Sequence, residues 1–405
     1  MTNDFDIIKH FLDQYDKEVR NLARLNILIA GKTGVGKSTL INAVFREQLA
    51  KTGVGVPVTQ HLQKISKEGV PLVIYDTKGM ELKQDTQNQI RKEILEEIAK
   101  PLRKNNPEEM IHICWYCINA TSNRIETYEI EWIRELAQHM PVIIVLTQVL
   151  GDNFLPLFHE IEKLNLPIQS MVPVLAKSYP ISSEINLETR GLQQLVDRTI
   201  ETVPEAQRIS FINAQKVDIK RKYERANKAV LGYTSTAFAT GFTPVPFADA
   251  TVLVPMQVGM IAHLTSIYGL PLDKSLLSSV ISSVLGTGGA TIIGRNIVGS
   301  LFKLVPGAGS ALGGVISGGT AASVTAALGY AYNKVMLRYA AGIYNNKKIN
   351  KENFASLLKE AFQQEILKNK SRFLKQSKPE DLAPPDTAEE ALKQLSETSQ
   401  EYNKD

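Results

Sequence analysis

The sequence predicts an α/β domain built on a mainly parallel sheet, followed by an all-α hydrophobic helical domain. Three observations carry that prediction. The residues Gly31-Lys32-Thr33-Gly34-Val35-Gly36-Lys37-Ser38-Thr39 follow directly on the apolar run 25–30 and spell G-x-x-x-x-G-K-[ST], a loop passing from a buried strand into a helix. From position 25 to about 203, short apolar runs alternate with amphipathic helical patterns, as in a parallel sheet covered on both faces. Beyond Pro204 the composition changes to long stretches almost without charge, rich in Gly, Ala, Ser and Thr. At 405 residues and 43% hydrophobic content the chain has material for two or three cores, and its net charge of +4 is too small to argue for nucleic acid.

Each element follows from its own pattern. Residues 1–24 form an amphipathic helix, with apolar positions at Phe5, Ile8, Phe11, Leu12, Tyr15, Val19 and Leu22, that packs on a neighbouring domain. Residues 25–204 form the α/β domain. Its strands are expected at 25–30, 70–75, 111–118, 142–146 and 171–175, with helices near 37–45, 84–99, 127–139, 155–164 and 191–203. Cys114 and Cys117 lie three apart in the strand 111–118, so they point to opposite faces and are expected as core residues, not a disulfide or metal pair.

Residues 205–345 form the hydrophobic helical domain. It opens with a basic helical stretch, 208–228, carrying Lys216, Lys220, Arg221, Lys222, Arg225 and Lys228. Uncharged runs at 229–248, 250–272, 275–294 and 304–333 follow. A weak repeat links 246–269 with 306–329, as two helical hairpins would. Residues 346–405 comprise a polar helix and, from Ser377, an acidic, Pro-containing tail expected to be disordered. The N-terminus lacks a signal-peptide pattern, so a cytosolic protein is expected, or one reaching a membrane from the cytosolic side.

The loop 31–39 is suited to holding phosphates. Its glycines Gly31, Gly34 and Gly36 let successive backbone N–H groups, Thr33 and Val35 among them, turn towards anionic oxygens; Lys37 adds positive charge, and a helix opening at Lys37-Ser38-Thr39 points its dipole at the same place. The strand ending in Asp76-Thr77-Lys78-Gly79 brings a carboxylate for the water shell of Mg2+, with Gly79 N–H approaching the terminal phosphate. Ser38 is a metal ligand by the same motif. Thr59, closing the loop 52–59, ligates Mg2+ when a terminal phosphate is present; the alternative is a plain loop or edge-strand residue. Lys37, Thr59 and Gly79 are the candidate catalytic groups, and Ser38, Thr59 and Asp76 the candidate metal ligands.

The order GKTGVGKST, P-V-T, D-T-K-G resembles the first three boxes of translation-factor-type (Era-like) small GTPase domains. Within that class it is similar to the group fused to a DUF697/YcjF-like hydrophobic helical domain, whose proline-rich start and Y-G element are matched by Thr243-Pro244-Val245-Pro246-Phe247-Ala248-Asp249, Met260 and Tyr268-Gly269-Leu270. The resemblance covers about 25–337. It implies a P-loop GTPase domain with GTP/GDP and Mg2+ as cofactors, and base contacts from Thr147, Gln148, Ala176 and Lys177. Two departures stand out. The guanine-reading [NT]-K-x-D box is replaced by Thr147-Gln148-Val149-Leu150, with Asp152 as a substitute if the loop is shifted; the next box, [ST]-A-K, is matched by Leu175-Ala176-Lys177 at its second and third positions. Met80 stands where many relatives carry a water-orienting Gln, which implies slow intrinsic turnover or a catalytic group from elsewhere; Arg124 is one candidate, against its reading as a solvated loop residue.

Three functional classes follow. The first is a GTPase whose nucleotide state controls a membrane-associated helical domain, since a basic helix before uncharged segments suits contact with anionic headgroups through Lys216, Lys220, Arg221 and Lys222. The second is a soluble GTPase with a regulatory bundle that binds a protein partner, small residues serving close helix packing. G-domain self-association belongs with either. The third, RNA or ribosome association, is suggested by relatives only, because no nucleic-acid signature is visible. The apolar runs would span about 30 Å of hydrocarbon, but Pro255, Asp273, Lys274 and Arg295 interrupt them.

Overall fold

The computed structural model describes residues 4–45, 54–57, 62–66, 70–77, 84–104, 106–240, 248–269, 318–344, 354–368, 382 and 386–393. The chain divides into two compact units: Val19–Asp218, and Met1–Glu18 together with Ile219–Asp405.

The first unit is built on a seven-stranded sheet in the order β2-β3-β4-β1-β5-β6-β7. Its strands are β1 (Leu25–Ala30), β2 (Val54–Pro57), β3 (Leu62–Ser66), β4 (Leu72–Thr77), β5 (Ile113–Asn119), β6 (Val142–Thr147) and β7 (Ser170–Pro173). The five strands from β4 to β7 run parallel, and β2 and β3 join antiparallel at one edge. All six residues of β1 and of β6 are buried, as in strands covered on both faces.

Alternate residues feed two separate cores. Leu28, Cys114, Tyr116 and Leu146 pack with Ile94, Trp132 and Leu157 from the helices Gln84–Arg103, Thr127–Leu136 and Leu155–Lys163. Ile27, Trp115, Cys117 and Val145 pack with Leu40, Leu195 and Phe211 from Lys37–Val44, Leu192–Thr202 and Glu205–Ala214. Cys114 and Cys117 thus fall in different cores, both as free thiols.

Three features of this unit differ from the sequence expectation. The segment 52–59, read as a loop, contains β2, and the hairpin it forms with β3 was missed because β3 alternates weakly and β2 carries Gly55 and Pro57. β4 runs two residues further than expected, so Asp76 and Thr77 are held inside the sheet. The helix Glu205–Ala214 packs on this sheet instead of opening the helical domain, because Phe211 completes an aromatic cluster with Phe45 and Trp115 at ring separations of 6.1 and 6.3 Å. The expected single helix 208–228 breaks at Gln215, whose side chain accepts from Asp218 N–H at 2.8 Å and donates to Asp218 C=O at 3.1 Å.

Among its described residues the second unit is helical, with Ile219–Thr240, Ala248–Tyr268, Gly318–Tyr344 and Phe354–Lys368 as long helices besides the N-terminal segment. Its interior is tied by polar pairs. Thr265 Oγ1 lies 2.7 Å from Tyr332 Oη, Tyr268 Oη donates to Asn333 Oδ1 at 2.6 Å, and Asn333 Nδ2 donates to Asn227 Oδ1 at 2.7 Å. A Cβ at Gly329 would stand 2.6 Å from Val230 Cγ1, so the absence of a side chain lets two helices touch. Gly269, at φ 57°, ends the helix Ala248–Tyr268, and Lys222 donates to the carbonyls of Ile267 and Tyr268 at its C-terminus.

The basic stretch therefore differs from the headgroup-facing stripe expected of it. Lys222 is fully buried, Lys216 Nζ donates to Asn42 C=O at 2.7 Å within the sheet unit, and Lys220 pairs with Glu389. Among the described residues no helix is long and apolar enough to cross a membrane. Both copies of the expected repeat lie partly outside the described residues, and the proline-rich start 243–247 lies wholly outside them.

Within the tail, the described residues 386–393 differ from the expected disorder. Asp386 is anchored by Lys334 and by Lys368 at 2.9 Å, Thr387 and Glu390 cap a short helix reciprocally, and Ala391 is buried. A disordered reading failed here because the docking partners of this acidic segment lie on the distant helices Gly318–Tyr344 and Phe354–Lys368.

Candidate functional site

The loop between β1 and the helix Lys37–Val44 sits at the carboxyl edge of the parallel strands, where open α/β sheets place their ligands. Gly31 adopts φ 136°, and a Cβ there would stand 2.3 Å from the Cys117 carbonyl oxygen, so only glycine lets the loop leave β1 this close to β5. Gly36, at φ 101°, caps the helix without a side chain, and no acidic residue occupies the first turn to neutralise its dipole. Val35 is buried and anchors the loop, whereas Thr33, Gly34, Ser38 and Thr39 are exposed. Lys37, only 8% exposed, folds its ammonium back over the loop and donates to the carbonyls of Gly31 and Lys32, each at 2.8 Å. Backbone amides, dipole and ammonium thus converge as an anion cradle.

Asp76 lies half-buried in β4 opposite Ile29 of β1, and Thr77 Oγ1 donates to Ile29 C=O at 3.4 Å. Burial pushes the Cys117 thiol up to about 12, with the nearby Lys37 charge pulling it down and Asp76 adding to the rise. One buried atom thus feels both the loop cation and the strand carboxylate. The Ser38 hydroxyl and the Asp76 carboxylate are hard oxygen donors, the type Mg2+ takes together with water and phosphate oxygens. Thr59, Gly79 and Met80 lie outside the described residues.

Thr147 and Gln148 brace the loop from beneath. The buried Thr147 Oγ1 donates to Val35 C=O and lies 3.2 Å from Ile118 C=O; Gln148, held at φ 55°, donates from Nε2 to Gly34 C=O at 3.2 Å. Val149 is buried against Val174 C=O at 3.3 Å. The Asp152 side chain is 84% exposed and 4.0 Å from Arg190 Nη1, and Arg190 also donates to Gly151 C=O. Arg190 bridges to Leu175 through paired backbone hydrogen bonds at 3.0 and 3.1 Å, next to the half-buried Ala176 and exposed Lys177. The sequence offered no signal for Arg190, since its partners lie on two distant turns. Nor did it single out the partners of Lys32, whose Nζ meets Glu126 at 2.9 Å and Glu129 at 3.3 Å. Arg124 is 76% exposed and 3.7 Å from Glu126, as a solvated loop residue would be.

Comparison with known proteins agrees with this geometry. Residues 26–148 match the family model described as 50S ribosome-binding GTPase, and residues 206–365 match a domain of unknown function, DUF697. Neuronal-specific septin-3 of Danio rerio is 25% identical over 154 residues, covering 32% of this chain and 42% of that protein. Human septin-12 is 27% identical over 164 residues, covering 35% and 46%. The chain thus spans less than half the length of these relatives. The solved structure of a probable GTP-binding protein engB is 17% identical, covers 44% of this chain and 97% of that one, and has a TM-score of 0.28. Members of the matched GTPase family bind GTP or GDP with Mg2+ as the usual cofactor. The chain carries a GTP-binding G domain of the P-loop GTPase type joined to a DUF697 domain.

Proposed function

We propose that this chain is a Mg2+-dependent GTPase switch with slow intrinsic turnover, in which the nucleotide state of the G domain controls the helical unit. The observation that carries it is Lys37, whose buried ammonium is held on loop carbonyls within an otherwise uncompensated helix N-terminus. On binding, those N–H groups and Lys37 take the phosphates, while Ser38, Asp76 and Thr59 hold the metal, which supplies charge neutralisation on the phosphate oxygens. Gly79 N–H serves the terminal phosphate. Met80 offers the attacking water no useful hydrogen bond, so a second copy of the G domain or a protein partner completes turnover. Ala176, Lys177 and the 147–152 turn are the residues assigned to reading the base, on the resemblance of their sequence to the base-reading boxes.

The test is competition: labelled GTP should be displaced by GTP and GDP far better than by ATP, and equal displacement by ATP would make the chain a general NTPase. Thr59→Ala should weaken GTP more than GDP in the presence of Mg2+; equal loss would demote Thr59 to a loop residue.

For the helical unit we propose a cytoplasmic protein acting at the cytoplasmic face of a membrane, supported by the uncharged runs of the sequence. A second reading, a soluble regulatory bundle binding a protein partner, is favoured by the burial of Lys222 and the close helix packing at Gly329. Flotation of the full chain with anionic liposomes separates them: protein that rises with the vesicles supports the membrane reading, and protein that stays at the bottom supports the bundle.

A further inference from the structure

Lys32, second residue of the phosphate loop, does not extend into solvent. Its Nζ lies 2.9 Å from Glu126 Oε1, 3.3 Å from Glu129 Oε2 and 5.3 Å from the Tyr128 ring centre. The Glu129 side chain is only 2% exposed, and it also accepts the Glu126 backbone N–H at 3.1 Å, so the same carboxylate starts the helix Thr127–Leu136 and grips the loop. Lys32 in turn offers one of the two carbonyls that receive the Lys37 ammonium. Further along this helix, Glu131 and Glu135 hold Arg91 of the helix Gln84–Arg103, with Glu131 at 3.1 Å and the Arg91 guanidinium 5.8 Å from the Trp132 ring. That second helix begins a few residues after Gly79.

Two carboxylates on one ammonium leave no surplus positive charge there for a phosphate. A side chain so neutralised works as an anchor. We propose that Glu126 and Glu129, acting through Lys32, are positioning residues that hold the phosphate loop in its binding conformation, and that Arg91 ties the same helix to the helix Gln84–Arg103. The proposal rests on the nucleotide reading above.

Loosening the anchor frees the loop to open, so the readout is the dissociation rate of fluorescent GDP from the full chain. Lys32→Met should speed release about tenfold, the worth of one charge-assisted hydrogen bond. Glu129→Gln should act in the same direction, the double variant should be no faster than the faster single, and Lys32→Arg should restore a slow rate. Arg91→Met should speed release by a smaller factor. If Lys32 were instead a phosphate ligand restrained by the acids, Glu129→Gln would slow release while Lys32→Met speeded it, and that opposite sign overturns the proposal. So does additive behaviour of the double variant, or a lowered melting temperature with unchanged release. Unchanged release in Arg91→Met overturns the tie to the neighbouring helix. Should Glu129→Gln fail to fold, Lys32→Met and Lys32→Arg, at a partly exposed position, still decide the matter by loss and rescue. Wild-type protein that retains no labelled GDP overturns the nucleotide reading itself, whereas wild type that retains it beside an unchanged Lys32→Met overturns this inference alone.

Discussion

Lys37 of the sheet unit and Lys334 of the helical unit are both buried, and these two are satisfied in opposite ways. Lys37 of the sheet unit lies against two neutral carbonyls, while Lys334 of the helical unit, 2% exposed, is clasped by Glu365 and Asp386. Burial alone would lower the Lys334 pKa, but the two carboxylates outweigh it and raise it above the ordinary value. An ammonium paired with carboxylates is neutralised in place and its bonds serve the fold. One resting on carbonyls is not neutralised by them, although Lys222, on the carbonyls of Ile267 and Tyr268, shows that such a lysine can equally serve the fold. Lys37 and Lys334 thus differ in whether their positive charge is already matched by carboxylates.

The contrast breaks first at Lys334. Lys334→Met should destabilise the helical unit by about 3–5 kcal/mol, since it leaves buried acid without its counter-charge, and leave nucleotide affinity unchanged. Urea unfolding followed with nucleotide titration checks both halves, and a large loss of affinity would erase the distinction. Lys37→Ala should do the reverse, weakening GTP by about 100-fold, or about 2.7 kcal/mol, with the unfolding midpoint little changed. Unaltered binding in that variant would refute the phosphate-loop assignment.

Smaller effects sharpen the same comparison. Gly329→Leu overpacks the contact with Val230 and should cost about 1–3 kcal/mol in the helical unit only. The smallest effect is a pH dependence of the sheet unit. His112 Nδ1 accepts the Asn26 backbone N–H at 3.0 Å, which requires a neutral ring, and burial lowers its pKa below the ordinary 6.5. The unfolded chain therefore takes up a proton below about pH 6.5 that the folded one refuses, so stability is complete above that pH and declines as pH falls through it. Melting temperatures at neutral and mildly acidic pH should show a decline that His112→Gln flattens; an identical slope in both proteins would assign it to other groups.

Much of the sheet unit was legible because its signals are local. The motif places Gly31, Gly36 and Lys37 within one short stretch between β1 and the helix Lys37–Val44, and backbone geometry does the rest. The period-two alternation of β5 sorted Cys114 and Cys117 onto opposite faces without knowledge of the partners. The hairpin of β2 and β3 escaped because an edge strand buries little and writes a weak pattern.

By itself the sequence determined the strand-loop-helix cradle, the order of alternating strands and helices, and the change to an all-helical second half, since each depends on residues that are neighbours along the chain. Only the tertiary structure decided which charges are spent. Lys222, part of an apparent basic surface by composition, caps a helix inside the bundle; Lys32 is claimed by carboxylates about a hundred positions later; Asp386, in a segment that reads as solvated tail, anchors to Lys334 and Lys368. The reason is physical: backbone conformation is set over a few bonds, whereas a charge is defined by what surrounds it in space, and the fold alone brings those groups together.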